Sequence, residues 1–344
     1  MNGTPTLSRS MAPTQAGRTL IELMVALVIG FVILGAVMLS SVGGNQSGAR
    51  QSAQARLDDE AAIIANVLNW HLRVAGYSTM RTYMSPAGNL AGTPNTHFAG
   101  PSVLGCENGI ANLNAPNYTA INCNGGAPGA APDAVAVMYE ADNFNTIPTG
   151  AGLPTDCLGQ AVPATTPSDM GTGVNYRLAE NRFYIAPNPQ TGMNALYCAG
   201  SGNVGAGQPL VDNVLDMQIT YGVADVPTAA QADLLQVPFF EPVMYLTAAQ
   251  VLALPASPPT TNLPIDNWRR VVSINICLLM ASEPNAMDQP TPYVDCNGVR
   301  VVPNDLRFYR TVSINTGFKN RTPACADATA APGAARPNPS RCAF

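Results

Sequence analysis

Charge is scarce in this chain of 344 residues: Asp, Glu, Lys and Arg together make 11% of it, well below the usual share for a globular protein. The formal net charge is −5, with no basic excess or stripe, which excludes the electrostatic footprint of a nucleic-acid-binding surface. Histidine is almost absent, with His71 and His97 alone. No C-x-x-C pair occurs and no cysteine lies beside a histidine, so zinc is a poor explanation for the cysteines. Cysteine is missing from the whole N-terminal third, before Cys106. Nor does the chain contain G-x-S-x-G, H-E-x-x-H, a phosphate loop or the Rossmann glycines. No acid, base and nucleophile converge, and no cofactor is called for. The expectation is therefore a non-enzymatic protein.

What is present falls into two textures. The first is a polar stretch over residues 1–17, followed by Gly17-Arg18-Thr19-Leu20-Ile21-Glu22-Leu23-Met24-Val25-Ala26 and an uncharged run to Val42. As a helix, Thr19 to Val42 reaches roughly 36 Å at ~1.5 Å per residue, enough to span a hydrocarbon core of ~30 Å. Arg9 and Arg18 precede this run and no Lys or Arg follows until Arg50, which places the N-terminus in the cytoplasm. An ordinary secretory signal would have a shorter apolar region ending at small residues, and Ala36 to Gly44 does contain some. Glu22 argues against that alternative. A carboxylate at the start of a membrane helix is costly and asks for a partner. Ala26 and Gly30, and likewise Ala36 and Ser40, stand four apart, the spacing that lets helices approach closely; simple lipid compatibility explains the same residues equally well.

The second texture begins beyond Gly43-Gly44, where a bend is expected. Leu57, Ala61, Ile64, Leu68 and Leu72 recur at steps of three and four, one face of an amphipathic helix, with Gly76 as its stop. Asp58-Asp59-Glu60 reads as a solvated run on the other face, and Trp70 and His71 as ordinary helix-end packing. From Tyr77 onward the pattern is β. Alternating runs cover Ala134–Tyr139, Tyr176–Leu178, Arg182–Ile185, Ala195–Cys198, Met217–Val223, Val271–Leu279, Val299–Val302 and Arg310–Asn315. Val272, Ile274, Ile276, Leu278 and Met280 share one face of their strand. Cys277 falls on the other, where a disulfide would tie the strand to a covering loop. Asn297-Gly298 reads as a tight hairpin turn. Thr247 caps a short helix signal up to Leu252. Asp212, Asn213 and Asp216 could suggest calcium, but the EF-hand order is missing and turn polarity explains them better. The long stretches Met84–Pro132 and Pro227–Pro264 are loop-like, and Ala324–Phe344 is Ala/Pro-rich.

The even count of eight cysteines points to disulfides in an oxidising compartment. Eight cysteines allow roughly a hundred pairings. Pairing of sequence neighbours, Cys106–Cys123, Cys157–Cys198, Cys277–Cys296 and Cys325–Cys342, is one of them.

The leader and the run after it resemble the type IV prepilin family. A polar leader ends in Gly17, and a T-L-I-E-L-M run places Glu22 fifth counting from Arg18. Arg18 departs from the Phe usual at that place. Asn69–Tyr77, Leu210–Val223, Trp268–Ile274 and Phe308–Ile314 resemble the PilW-type minor pilins in order and spacing. The resemblance implies cleavage by prepilin peptidase between Gly17 and Arg18, N-methylation of Arg18, and pairing of Glu22 with a neighbour's N-terminal amine. It implies an α+β pilin-like fold, a long N-terminal helix on an antiparallel β domain with disulfide-tied loops. The expected parts are a leader (1–17), a transmembrane and filament-core helix (18–42), an amphipathic periplasmic helix (43–82), a β-rich domain (83–320) and a disulfide-closed tail (321–344). The implied function is a minor pilin that primes or supports pilus assembly, at the tip or elsewhere. A pseudopilin of a type II secretion system and a tip adhesin are the alternatives. The implied partners are the other minor pilins, the major pilin, the inner-membrane assembly platform and a tip adhesin. The implied location is a single pass of the inner membrane with a periplasmic domain, then the extracellular pilus.

Overall fold

A computed structural model describes residues 19–79, 97–98, 100–165, 175–224, 242–255, 264–320, 324–325 and 342–343. The chain divides into two compact units, Met1–Ser52 and Ala53–Phe344, with the 55-residue helix α1 (Leu20–Val74) contributing to both. In the first unit, the amides of Glu22 and Leu23 donate to the Thr19 carbonyl and close the opening turn of α1. The stretch Leu20–Ser41 has a mean hydropathy of 2.8 and none of it is buried. The helix continues through Gly43-Gly44. Glycine lowers helix propensity by ~1 kcal/mol but keeps its N–H, so the hydrogen-bond ladder continues.

In the second unit the predicted stripe is the buried one: Leu57, Ala61, Ile64, Leu68 and Leu72 all lie in the core. The helix stops at Val74, short of residue 82. Gly76 takes a φ of +73°, and its amide donates to the Met138 carbonyl rather than back into the helix. A Cβ at Gly76 would stand 2.2 Å from the Ser102 hydroxyl, so only glycine fits this exit.

Among the described residues, two larger antiparallel sheets make up most of the rest of this unit. The first is a meander in sequence order: β1 (Val103–Cys106), β2 (Ala134–Glu140), β3 (Leu178–Pro187), β4 (Asn194–Ala199) and β5 (Gln208–Asp212). The second has the order β11 (Tyr309–Gly317), β8 (Val271–Ala281), β6 (Val214–Val223), β7 (Met244–Leu246). Every residue of β2 is buried, as expected of a strand covered on both faces. β3 begins at Leu178, the last residue of the first expected run, and takes in the whole of the second, Arg182–Ile185. The polar residues that mask it in the sequence, Glu180 and Arg182, satisfy each other: the Arg182 guanidinium donates to Glu180 Oε1 at 2.8 Å from Nε and 2.5 Å from Nη2. Val272, Ile274, Ile276, Leu278 and Met280 of β8 are all buried. β5 holds Pro209, opposite Tyr197 of β4, at the sheet edge where a missing donor is tolerated.

The two sheets meet at their polar and aromatic seams. The Asp133 amide donates to Met217 O at 2.7 Å, and its Oδ2 accepts from the Ile219 amide at 2.9 Å. Tyr221 of β6 meets Trp268 edge to face at 4.8 Å between ring centroids. Gly105 of β1 lies against this pair, where a Cβ would stand 2.0 Å from the Tyr221 hydroxyl and 2.8 Å from the Trp268 ring.

Candidate assembly site

Glu22 sits in the first turn of α1, where the helix N-terminus favours a negative charge. Ala26 and Gly30 follow at one-turn intervals from it, on the same face. Nothing lies within 4 Å of the place a Gly30 Cβ would take, so this face can admit another helix closely. Gly17 and Arg18 lie outside the described residues. Chemically the segment offers one carboxylate at the head of an apolar cylinder. Packed among other such helices, that carboxylate would lose water and need a cation.

The second unit carries the cysteine framework. Cys106 is bonded to Cys123, Cys157 to Cys198, and Cys277 to Cys296. Cys277, half-buried on β8, holds a hairpin of β9 (Tyr293–Val294) and β10 (Arg300–Val301) over the outer face of its sheet. The hairpin turns tightly at Asn297-Gly298, as expected: the Asp295 amide donates to the Val299 carbonyl, and the Gly298 amide to the Asp295 carbonyl. Asp295 Oδ1 accepts from the amides of Asn297 and Val299, and Gly298 takes a φ of +77°. In the tail, β12 (Ala324–Cys325) pairs with β13 (Cys342–Ala343), with Cys325 opposite Cys342. Their side chains lie outside the described set.

The polar residues singled out in the sequence have structural partners. Asp58 and Asp59 are exposed, as expected of a solvated run, Asp58 in an exposed ion pair with Arg310 of β11; Glu60 is partly buried, and burial raises its carboxyl above its ordinary pKa. Trp70 is 54% exposed. His71 is buried, with Nδ1 at 3.2 Å from both the Tyr139 hydroxyl and Asn181 Nδ2. Asn181 Nδ2 has only protons to offer, so His71 Nδ1 is the acceptor and the ring is neutral. Burial agrees, lowering the pKa to about 4. Asp212 Oδ1 accepts from Asn188 Nδ2, Asn213 reverses the chain with a φ of +64°, and Asp216 Oδ1 accepts from the Met217 amide and Gln218 Nε2. Asn213 makes the turn between β5 and β6, while Asp212 and Asp216 lie at the adjoining ends of those strands. Among the described residues no three His, Cys, Asp or Glu side chains group to hold a metal ion.

Three sites escaped the sequence. Glu140, at the end of β2, accepts from the Ser78 hydroxyl (2.8 Å), the Thr79 amide (2.7 Å) and Thr79 Oγ1 (3.0 Å), and lies 2.8 Å from His97 Nδ1. Its pKa is lowered: burial alone would raise it, but these hydrogen bonds together outweigh burial. Glu107 accepts from Thr247 Oγ1 and the Ala249 amide, and so anchors the start of α2 (Ala248–Leu252), which the predicted Thr247 cap opens. Asp133, whose pKa burial raises to about 6, joins the sheets. A carboxylate ending an apolar run is the available signal, present at Glu140 after β2 and at Glu107 after β1.

Two family models match the chain. A prokaryotic N-terminal methylation motif covers residues 13–38, and the type IV pilus-assembly protein W family covers residues 182–320. The chain thus carries a prokaryotic N-terminal methylation motif at its head and a segment similar to the type IV pilus-assembly protein W family in its C-terminal half. The motif match takes in Gly17, Arg18, Glu22, Ala26 and Gly30, and implies processing by prepilin peptidase. The PilW match runs from β3 past the end of β11 and includes the Cys277–Cys296 hairpin; Cys106, Cys123 and Cys157 precede it. A type IV-like pilin from Thermus thermophilus is similar at 12% identity, over 77% of this chain and 98% of that one, with a TM-score of 0.36. No curated protein matches the chain.

Proposed function

We propose that this PilW-type chain is a minor pilin, a structural subunit that primes or supports assembly of a type IV pilus. The observation that carries the reading is the prepilin-type head of α1: a single carboxylate, Glu22, opening an exposed apolar helix from Leu20 to Ser41. Prepilin peptidase cuts between Gly17 and Arg18, Arg18 is N-methylated, and α1 remains in the inner membrane with its N-terminus in the cytoplasm. The domain folds in the periplasm, where its cysteines oxidise. On assembly, α1 leaves lipid for a bundle of like helices. Ala26 and Gly30 admit close approach, and Glu22 pairs with the N-terminal amine of the adjacent subunit. The partners are other minor pilins, the major pilin and the inner-membrane assembly platform.

N-terminal sequencing of the mature protein tests this reading. The expected first residue is methylated Arg18. A start after residue 36 would mean a conventional secretory signal and would overturn the reading.

A further inference from the structure

A cavity of about 190 Å³ lies between β6, β8, the β9–β10 hairpin and the chain that leads into β2. Two buried carboxylates stand in its wall. Glu107 is 8% exposed and engages only Oε2 within the protein, with the Thr247 hydroxyl at 3.1 Å and the Ala249 amide at 3.2 Å. Its Oε1 accepts no hydrogen bond from any described residue, and the cavity is the space that this oxygen is left to face. Asp133 is 6% exposed, and its two oxygens take the backbone amides of Asn108 and Ile219. Burial raises its carboxyl to about 6, and the Glu107 and Asp216 carboxylates add to the rise. No Lys, Arg or His stands in the wall to offset this charge. Thr220 and Asn275, paired across β6 and β8, and Asn297 of the hairpin turn complete the polar part of the wall, and none of their side chains bonds to another described residue. A buried carboxylate with an open oxygen and no cation is unfavourable unless the cation comes from outside the chain.

The chemistry of the wall selects the ligand. Its charge repels anions. A hard divalent cation wants six or more oxygen ligands, and among the described residues no three His, Cys, Asp or Glu side chains group to hold one. The volume holds roughly six water-sized groups at ~30 Å³ each, far more than a bare ion fills. An alkylammonium group has three N–H donors and no acceptor. Glu107 Oε1 and the carboxamide oxygens of Asn275 and Asn297 are three acceptors without other partners among the described residues. Pro128 and the Cys277–Cys296 bridge give the same cavity an apolar side, suited to a short methylene stem. We propose that this cavity binds a small aliphatic primary amine, held through its ammonium group by Glu107. Such a site needs only the second unit and is independent of the minor-pilin reading.

Titration calorimetry of the detergent-solubilised full-length chain with putrescine tests this. One site should appear at neutral pH with a dissociation constant below about 1 mM, and 1,4-butanediol, which replaces each ammonium by a hydroxyl, should bind at least ~10-fold more weakly. Glu107→Gln keeps an acceptor for Thr247 and Ala249 but removes the charge, and should weaken putrescine at least ~10-fold. Asn275→Lys changes a half-buried side chain that has no partner to lose. It brings an ammonium of its own into the cavity and should abolish binding at an unchanged melting temperature, so the question stays decidable even if Glu107→Gln fails to fold. Butanediol binding as tightly as putrescine, full-strength putrescine binding by a folded Glu107→Gln or Asn275→Lys chain, calcium chloride binding in place of the diamine, or no heat at millimolar putrescine would each overturn the proposal.

Discussion

Replacement of His71 by Leu should remove an acid sensitivity built into the contact between α1 and the first sheet. The folded protein holds His71 neutral with a pKa of about 4, against 6.5 for the free side chain. Burial causes this. The ring is buried, and its Nδ1 faces the Asn181 amide N–H and the Tyr139 hydroxyl, with no carboxylate among the described residues beside it to stabilise a second proton. Between these two pKa values the unfolded chain binds a proton that the folded chain refuses. Stability from this group is therefore complete above about pH 6.5 and is lost as pH falls toward 4, by about 2 kcal/mol at pH 5 and about 3 kcal/mol at pH 4. Asp133 titrates in the same window with the opposite sign. Its folded pKa is raised to about 6 from 3.8, so its contribution is full below 3.8 and is lost as pH rises through 6. The wild-type curve alone therefore mixes the two groups, and the difference between wild type and His71→Leu isolates the histidine. Urea unfolding of the detergent-solubilised chain at pH 7.5 and pH 5, followed by the fluorescence of buried Trp268, supplies the measurement. The stability gap between wild type and variant should narrow by about 2 kcal/mol at the lower pH. An unchanged gap would refute the neutral, buried histidine.

Leu68 and Trp70 are two residues apart on α1 but opposite in burial, 0% and 54% exposed. Leu68→Ala should cost about 2–5 kcal/mol and Trp70→Ala far less in the same unfolding assay. Gly105→Ala should destabilise by about 1–3 kcal/mol, because its Cβ has nowhere to go beside Tyr221 and Trp268. The Cys277→Ser/Cys296→Ser pair, which opens a bridge across a sequence separation of 19, should lower stability by about 3 kcal/mol and free the hairpin, read as faster proteolysis between β8 and β11.

Much of this fold was legible because burial and periodicity coincide. The stripe from Leu57 to Leu72 and the alternation from Val272 to Met280 each have one face to hide, and each names its element without help. Strands without that contrast were missed. β1 is four residues long and buried throughout, β5 carries a proline, and β7 is an edge of three residues. β3 is split in the sequence because Glu180 and Asn181 look like a polar break, and only the three-dimensional pairing of Glu180 with Arg182 reveals a continuous strand. The head of α1 was legible through Gly17, Arg18 and Glu22, residues with little reason to occur together in an ordinary secretory signal. The Glu140 cluster was not, since its donors Ser78, Thr79 and His97 lie some 40 to 60 positions away and are ordinary in isolation.

The central claim is that α1 is a filament-core helix and not a passive anchor, and Glu22→Ala tests it most directly. Neither membrane insertion nor leader cleavage desolvates the carboxylate, so both should proceed as in wild type. Filament packing does, and a desolvated pair that loses one partner costs about 3–5 kcal/mol, leaving the neighbour's amine alone. The amount of variant chain in sheared filaments, relative to variant chain in the membrane fraction and scaled to wild type, should fall sharply. Equal incorporation of Glu22→Ala and wild type would contradict the account.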